Sequence, residues 1–480
     1  MRRLPPDPLA GGVGSRSRRA GAPVTEPGHH RGGEQAGRSP GTQRTHEGET
    51  PATPLTVLVV GANGLIGSAI AERLERAGHA VVLAMRHVTE DAGPGRHVAL
   101  DLARPCQDQW MDVLRTVDVV VNAAGIFRET DGASFEQVHV SGPCTLFALA
   151  AAAGVTRLVQ ISALGAHAQA ATAYWRSKAA GDACVAAFPG RGVVVRPSLV
   201  FAESGTSTRL FLALAAQPLI ALPDGGRQRV QPIHLDDLLD GVTALVEHPD
   251  PPAVIEAVGP APLTFADYLR TLATQMGQRL RVLPAPAWAV RMAVRWPIPG
   301  LAQFLDADAL RMLEAGNHGD AAPWQALLAR PLRPATRFLA PGARADVRRA
   351  AHLRVLLPTL RTANSLMWLV TAWVSAFVYP VQASVELLQR AHVPDALTLP
   401  SLYGAAALDA LLGLAVWRPR WRRAAYCAQL GLIAFYTLVI SLWLPEYWAH
   451  PYGPVLKNLP VLALIYALLK LDAPDGHRPR

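Results

Sequence analysis

Tyr174 and Lys178 stand four residues apart in the run Tyr-Trp-Arg-Ser-Lys. On a helix that spacing puts a phenol and an ammonium on one face. An ammonium beside a phenol favours the phenolate, so the expectation is a tyrosine of lowered pKa able to pass a proton at a carbonyl oxygen. The pair follows a strand-like apolar run, Leu158 to Ser162. A second constellation precedes these residues: Gly61, Gly64 and Gly67, spaced three apart, with Asn63, Leu65 and Ile66 between them. Such glycines bind phosphates only where a strand ends and a helix begins, because the helix N-terminus and bare backbone N–H groups then meet a pyrophosphate. Gly61 would make the tight turn, Gly64 would admit the phosphates, and Gly67 would let helix pack on strand.

The surrounding sequence supplies those elements. Val57 to Val60 reads as a buried strand and the run from Ser68 as a helix. Further short apolar runs follow at 80–84, 97–100, 117–122, 158–162 and 193–196, separated by helical patterns such as Pro143 to Gly154. Alternation of this kind predicts a doubly wound parallel α/β sheet, with a small, mainly helical substrate region over about 200–330. At the end of the second strand, Ala84-Met-Arg-His87 has no carboxylate for a ribose hydroxyl, and Arg86 suits a 2′-phosphate. The pattern therefore favours NADP(H) over NAD(H). Asp236 and Asp237 read as helix-starting carboxylates that cap free N–H groups rather than as a catalytic pair. His234 has no second histidine at metal spacing, so no metal site is expected. Cys106, Cys144, Cys184 and Cys427 lack any paired spacing and read as isolated thiols.

Half of the 480 residues are hydrophobic and only 17% are charged, with a net charge of +9. The apolar excess gathers after Arg361, in segments at about 364–388, 402–417, 424–444 and 455–471. Arginines cluster beside them, at 344–361 and 418–423, which points to an anionic bilayer surface rather than nucleic acid. Four crossings would put residues 418–423 and the 474–480 tail on the side of the nucleotide-binding region, with that region in the cytoplasm of a cell whose inner membrane carries the chain. Residues 1–54 lack apolar periodicity and read as a disordered basic arm. Residues 331–361 read as a basic linker.

Residues 55 to about 320 resemble the extended or atypical short-chain dehydrogenase/reductases. The resemblance rests on the glycine loop, Asp101-Leu102, Asn122-Ala-Ala-Gly125, Tyr174 with Lys178, Arg196-Pro-Ser198 and Gln231 to Asp237. It implies that Asp101 and Leu102 lie at the adenine, that Asn122, Ala123, Ala124 and Gly125 line the cofactor, and that Tyr174, Lys178 and Ser162 form the catalytic set. Within that superfamily, Ile161-Ser-Ala-Leu-Gly-Ala and the Tyr174 run are similar to the group around the accessory NADPH-binding subunit of respiratory complex I. Two departures stand out. Ala163 and Leu164 replace further strand-end hydroxyls, and His139 occupies a place where asparagine is common. Both fit a domain that holds cofactor with little or no turnover. Residues 362–473 resemble the DoxX-like membrane proteins through Tyr379-Pro380, Glu386, Leu408-Asp409 and the run Leu444 to Pro460, which implies an all-α four-helix transmembrane bundle. The expected whole is a membrane-anchored NAD(P)H oxidoreductase acting on a lipophilic carbonyl or quinone-like substrate. Its alternatives are a non-catalytic NADPH-binding protein and a sugar-nucleotide epimerase or dehydratase. Glu386, Asp409 and Lys457 would be charged groups near membrane depth, and an oligomer or a respiratory-type partner is implied by the complex I likeness.

Overall fold

A computed structural model describes residues 54–88, 95–286, 288–290, 292 and 307–472. The expectations for the basic arm and the C-terminal tail lie outside the described residues, save Pro54. The chain first builds a seven-stranded sheet from β1 (Thr56–Val60), β2 (Ala80–Met85), β3 (Arg96–Ala99), β4 (Val119–Asn122), β5 (Arg157–Ile161), β6 (Arg191–Pro197) and the strand Val254–Ala257. Their order is Val254–Ala257, β6, β5, β4, β1, β2, β3, all parallel. Successive side chains of a strand face opposite ways, and β1 shows the consequence. Val57 and Val59 enter one core with Ile70, Leu74 and Val242, whereas Leu58 and Val60 enter the other with Trp110, Leu146 and Phe147. Helices α1 (Leu65–Arg76) and α6 (Leu235–Glu247) cover the first face; α2 (Gln107–Leu114), α3 (Gly142–Ala152) and α4 (Ala173–Ala186) serve the second. Chain direction across the sheet reverses between β1 and β4, and ligands of open α/β sheets bind in the crevice at such a point.

Helices α5 (Thr206–Ala215) and α7 (Phe265–Gln275) form a third core with Phe201, Tyr268 and Phe338, and short strands Leu219–Pro223 and Arg281–Ala285 pair beside them. Residues 331–361, expected as a basic linker, run into a long helix. Arg344–Trp373 is one 30-residue helix whose early turns join that third core through buried Ala351, while Arg348 Nη1 donates to the Met276 carbonyl at 3.4 Å. The same helix continues into the C-terminal helical part, where Trp368 and Ala372 are buried. Nucleotide-binding and apolar parts are thus joined by continuous helix.

The C-terminal part departs from four similar spans. Asp395–Ala415 and Pro419–Trp443 are long and apolar enough to cross a membrane. The second expected segment is therefore full length, because its helix starts at Asp395, ahead of the apolar run. The first segment is broken: Arg344–Val378 turns by 106° into Val381–Arg390. Pro380, at the break, has no backbone N–H to continue a helix. Asn458–Leu471 is a short apolar helix of 14 residues. Phe377, Leu411 and Leu442 present 79%, 64% and 61% of their surface. An apolar band of this kind suits lipid, not water. Inside the bundle Asn364 donates to Gln429 Oε1 at 2.9 Å, and Ser365 donates to the Gly413 carbonyl at 2.8 Å, small and polar groups of the sort that hold helices together in lipid. Asp409 is buried, but Glu386 and Lys457 are exposed, so burial separates the three charged groups that sequence had put together.

Candidate functional site

The glycine turn sits where β1 gives way to α1, at the crevice. Gly61 has φ of +79°, and a Cβ there would lie 2.8 Å from the Ala124 backbone. A Cβ on Gly67 would fall 2.2 Å from the Gly61 carbonyl oxygen. Both positions exclude any larger residue. Gly64 caps α1 in an extended conformation with no side-chain cap, and Asn63, Gly64 and Leu65 are exposed. The first-turn N–H groups of α1 are thereby open to an anion. These residues fit the pyrophosphate of a dinucleotide. Arg86 follows β2 and is exposed. Across the crevice Asn122 ends β4, fully buried. Its Nδ2 donates to Gln160 Oε1 at 2.8 Å and its Oδ1 accepts from Ala124 N at 3.2 Å. Asn122 therefore shapes the turn of Ala123, Ala124 and Gly125. Asp101 does similar work after β3, accepting from Ala103 N at 3.0 Å, with Leu102 buried beside it.

Tyr174 and Lys178 occupy the first turns of α4, which Thr172 starts by accepting from Trp175 N. Both are buried. Lys178 Nζ donates to the Ile161 carbonyl at 3.1 Å and the Ala124 carbonyl at 3.4 Å, bridging the ends of β5 and the β4 loop. Burial pushes its ammonium down to about 8, a fall that Asp182 opposes. The tyrosine reverses the expectation: burial, then the negative Asp182, pushes the phenol up rather than down. Desolvation and the Asp182 charge act in the same direction here. A neutral phenol is a proton donor, which suits addition of hydride to a carbonyl.

Ser162 turns elsewhere. Its Oγ donates to Asp182 Oδ2 at 2.8 Å, and the same oxygen accepts from Arg196 Nη2 at 3.1 Å. Asp182 lies one helical turn beyond Lys178 on the same face, so the spacing that revealed the pair also held this third member. Burial raises the Asp182 pKa, against the pull of Ser162 and Arg196. His139 is buried on the turn before α3. Its Nε2 accepts from Ile126 N at 3.0 Å, which leaves Nδ1 to donate to Ser177 Oγ at 2.8 Å. Burial, then Lys178, holds the imidazole down to about 3. Phe127 carried no sequence signal. Its ring, 75% exposed, stacks on Tyr174 with centroids 4.9 Å apart and planes 20° from parallel.

Two expectations are corrected nearby. Cys144 on α3 and Cys184 on α4 form a disulfide, with Cα atoms 5.3 Å apart, because helix packing brings together cysteines 40 residues distant in sequence. Asp236 and Asp237 do not cap α6. His234 Nδ1 accepts from Asp236 N at 3.2 Å, while Asp237 accepts from Arg333 N at 2.7 Å and pairs with Arg330 at 2.8 Å. Their role is structural, as expected, through ties to 330–333.

Residues 57–257 match the NAD dependent epimerase/dehydratase family, and residues 365–466 match the DoxX-like family. The chain is similar to the mitochondrial 40 kDa subunit of NADH-ubiquinone oxidoreductase from Neurospora crassa, at 27% identity over 51% of this chain and 68% of the relative. It is similar to alpha subcomplex subunit 9 of mouse NADH dehydrogenase [ubiquinone] 1, at 26% identity over 42% of this chain and 56% of the relative. The chain thus spans little more than half the length of that mammalian protein. An epimerase family protein of Mycobacterium bovis matches at 27% over 49% of this chain and 84% of its own. Among solved structures, a nucleoside-diphosphate-sugar epimerase of Staphylococcus aureus gives a TM-score of 0.48 at 16% identity, covering 59% of this chain and 99% of that one. MoeE5 in complex with UDP-glucuronic acid and NAD gives 0.46 at 20% identity, covering 61% and 99%.

Proposed function

We propose that this chain, which joins an NAD dependent epimerase/dehydratase-type domain related to complex I subunits to a DoxX-like domain, is a membrane-anchored NADP(H)-dependent oxidoreductase. It acts on a carbonyl or quinone-like group, with the nucleotide-binding domain at the cytoplasmic face of the inner membrane. The observation that carries the reading is a neutral, buried Tyr174 one helical turn from Lys178 at the carboxyl edge of the sheet. When bound, the dinucleotide supplies or accepts the hydride. The Gly61 to Gly67 turn and the N-terminus of α1 hold its pyrophosphate, and Arg86 receives the 2′-phosphate. Lys178 orients the ribose. Tyr174 gives its proton to the carbonyl oxygen during reduction and recovers one during oxidation.

The test uses full-length protein in detergent, with NADPH oxidation followed against a carbonyl and quinone panel. Tyr174→Phe is expected to lower turnover at least 100-fold while leaving NADPH affinity unchanged. Unchanged turnover in that variant overturns the mechanism. The engagement of Ser162 with Asp182 favours a second reading, a cofactor-holding subunit of a respiratory-type membrane assembly. Under it NADPH binds and no substrate of the panel is turned over.

A further inference from the structure

Asp409 is an acid without a partner in the part of the chain that meets lipid. It lies on the apolar helix Asp395–Ala415, 6% exposed, and its Oδ1 has no hydrogen-bond partner among the described residues. An unpaired carboxylate is costly to bury in lipid, whereas a carboxyl that holds its proton is uncharged. Among the described residues no arginine or lysine offsets the Asp409 charge, Tyr436 on Pro419–Trp443 is the titratable group within its reach, and Glu386 on the bent segment is exposed. Further unmatched polar atoms gather beside it. Asp409 stands one turn before Gly413 on the same helix face, and that face meets Trp368: a Cβ on Gly413 would lie 3.2 Å from the Trp368 Cβ. Trp368 Nε1 has no acceptor, and Asn364 Oδ1, one turn earlier on the same helix, has no donor among the described residues. Asn364 is fully buried, and its Nδ2 donates to the fully buried Gln429. One turn before Gln429 stands Tyr426, also fully buried, whose hydroxyl donates to Asp472 Oδ2 at 2.8 Å. A file of buried polar side chains thus runs from Asp472, at the end of the bundle, inward to Asp409.

We propose that Asp409 is a proton-binding site inside the membrane half, reached from the Asp472 end along this file. The Tyr426 hydroxyl both donates and accepts, so it can pass a proton inward from Asp472. Beyond it, the free Asn364 oxygen and the free Trp368 N–H offer one acceptor and one donor to water, which carries the proton on to the carboxyl. Arg422 lies 3.8 Å from Asp472, which puts the entrance at the arginine-marked end of the bundle. The inference concerns the DoxX-like half alone and stands whether or not Tyr174 performs chemistry.

Full-length protein in detergent at pH 7 is treated with N,N′-dicyclohexylcarbodiimide, an apolar reagent that adds to protonated carboxyls, and its peptides are mapped by mass spectrometry. Asp409 is expected to carry the adduct, with a yield that falls as pH is raised. Infrared spectra give a second reading. Wild type should show a carboxylic acid carbonyl band that Asp409→Asn lacks, and transfer into D2O should shift that band. Tyr426→Phe should slow the shift at least tenfold. The labelling arm uses wild type alone, so it decides the matter even where a variant fails to fold. Absence of adduct at Asp409 overturns the proton site, as does a carbonyl band that Asp409→Asn retains. A band that exchanges as fast in Tyr426→Phe as in wild type overturns the route from Asp472.

Discussion

Ser162 Oγ donates to the Asp182 carboxylate at 2.8 Å, within a buried group that Arg196 completes. We propose that the strand-end hydroxyl, whose one proton goes to this carboxylate, has a structural role. Ser162→Ala is expected to keep NADPH oxidation within about threefold of wild type and to cost roughly 1 to 3 kcal/mol of stability, because a buried carboxylate loses a donor. A fall in turnover near 100-fold without loss of thermal stability would restore Ser162 to the catalytic set.

Lys178 sets an alkaline limit. Burial holds its ammonium down to about 8 while Asp182 pulls the other way. The charged form prevails at pH 7 and is lost as pH rises through about 8, so turnover and NADPH affinity should decline together above that point. Asp182→Asn removes the supporting negative charge and should move the decline to lower pH. A profile that keeps its alkaline limb in the same place in this variant contradicts the coupling.

His139 sets an acid limit on stability. Its imidazole is neutral in the fold, held down to about 3 against 6.5 for the free group. The unfolded chain therefore binds the extra proton first. Stability from this residue is complete above about 6.5 and falls as pH drops toward 3, on the order of 3 to 5 kcal/mol across the window. Replacing His139 by asparagine removes that titration. Melting temperatures of the two proteins in detergent, compared from pH 7 to pH 4, should diverge in slope. Parallel slopes would place the acid sensitivity elsewhere.

Much of the nucleotide-binding half was legible because its signals are local. Glycines that tolerate a φ of +79° or a 2.2 Å approach cannot be replaced, so the turn at Gly61 to Gly67 announces itself in sequence. Period and alternation placed six strands to within a few residues. The four-residue spacing of Tyr174 and Lys178 survives folding because a helix preserves it. The apolar helices were legible by composition, although the break at Tyr379-Pro380 changed the first of them from a span into a bent pair.

What sequence could not provide is the environment of each group, since burial and partners come from residues far along the chain. The phenol of Tyr174 was expected to be acidified by its lysine, and desolvation in the folded crevice raises its pKa instead. Ser162 looked free until α4 brought Asp182 against it, and Cys144 and Cys184 looked solitary until α3 and α4 packed together. Phe127 had no pattern at all; its ring meets Tyr174 because folding brings the segment after β4 against α4. Residue types and short-range spacing thus determined the turn, the sheet and the pairing of Tyr174 with Lys178 on one helix face. Charge states, the commitment of each hydroxyl and the walls of the site were decided by tertiary packing, because desolvation and long-range contacts are properties of the closed fold.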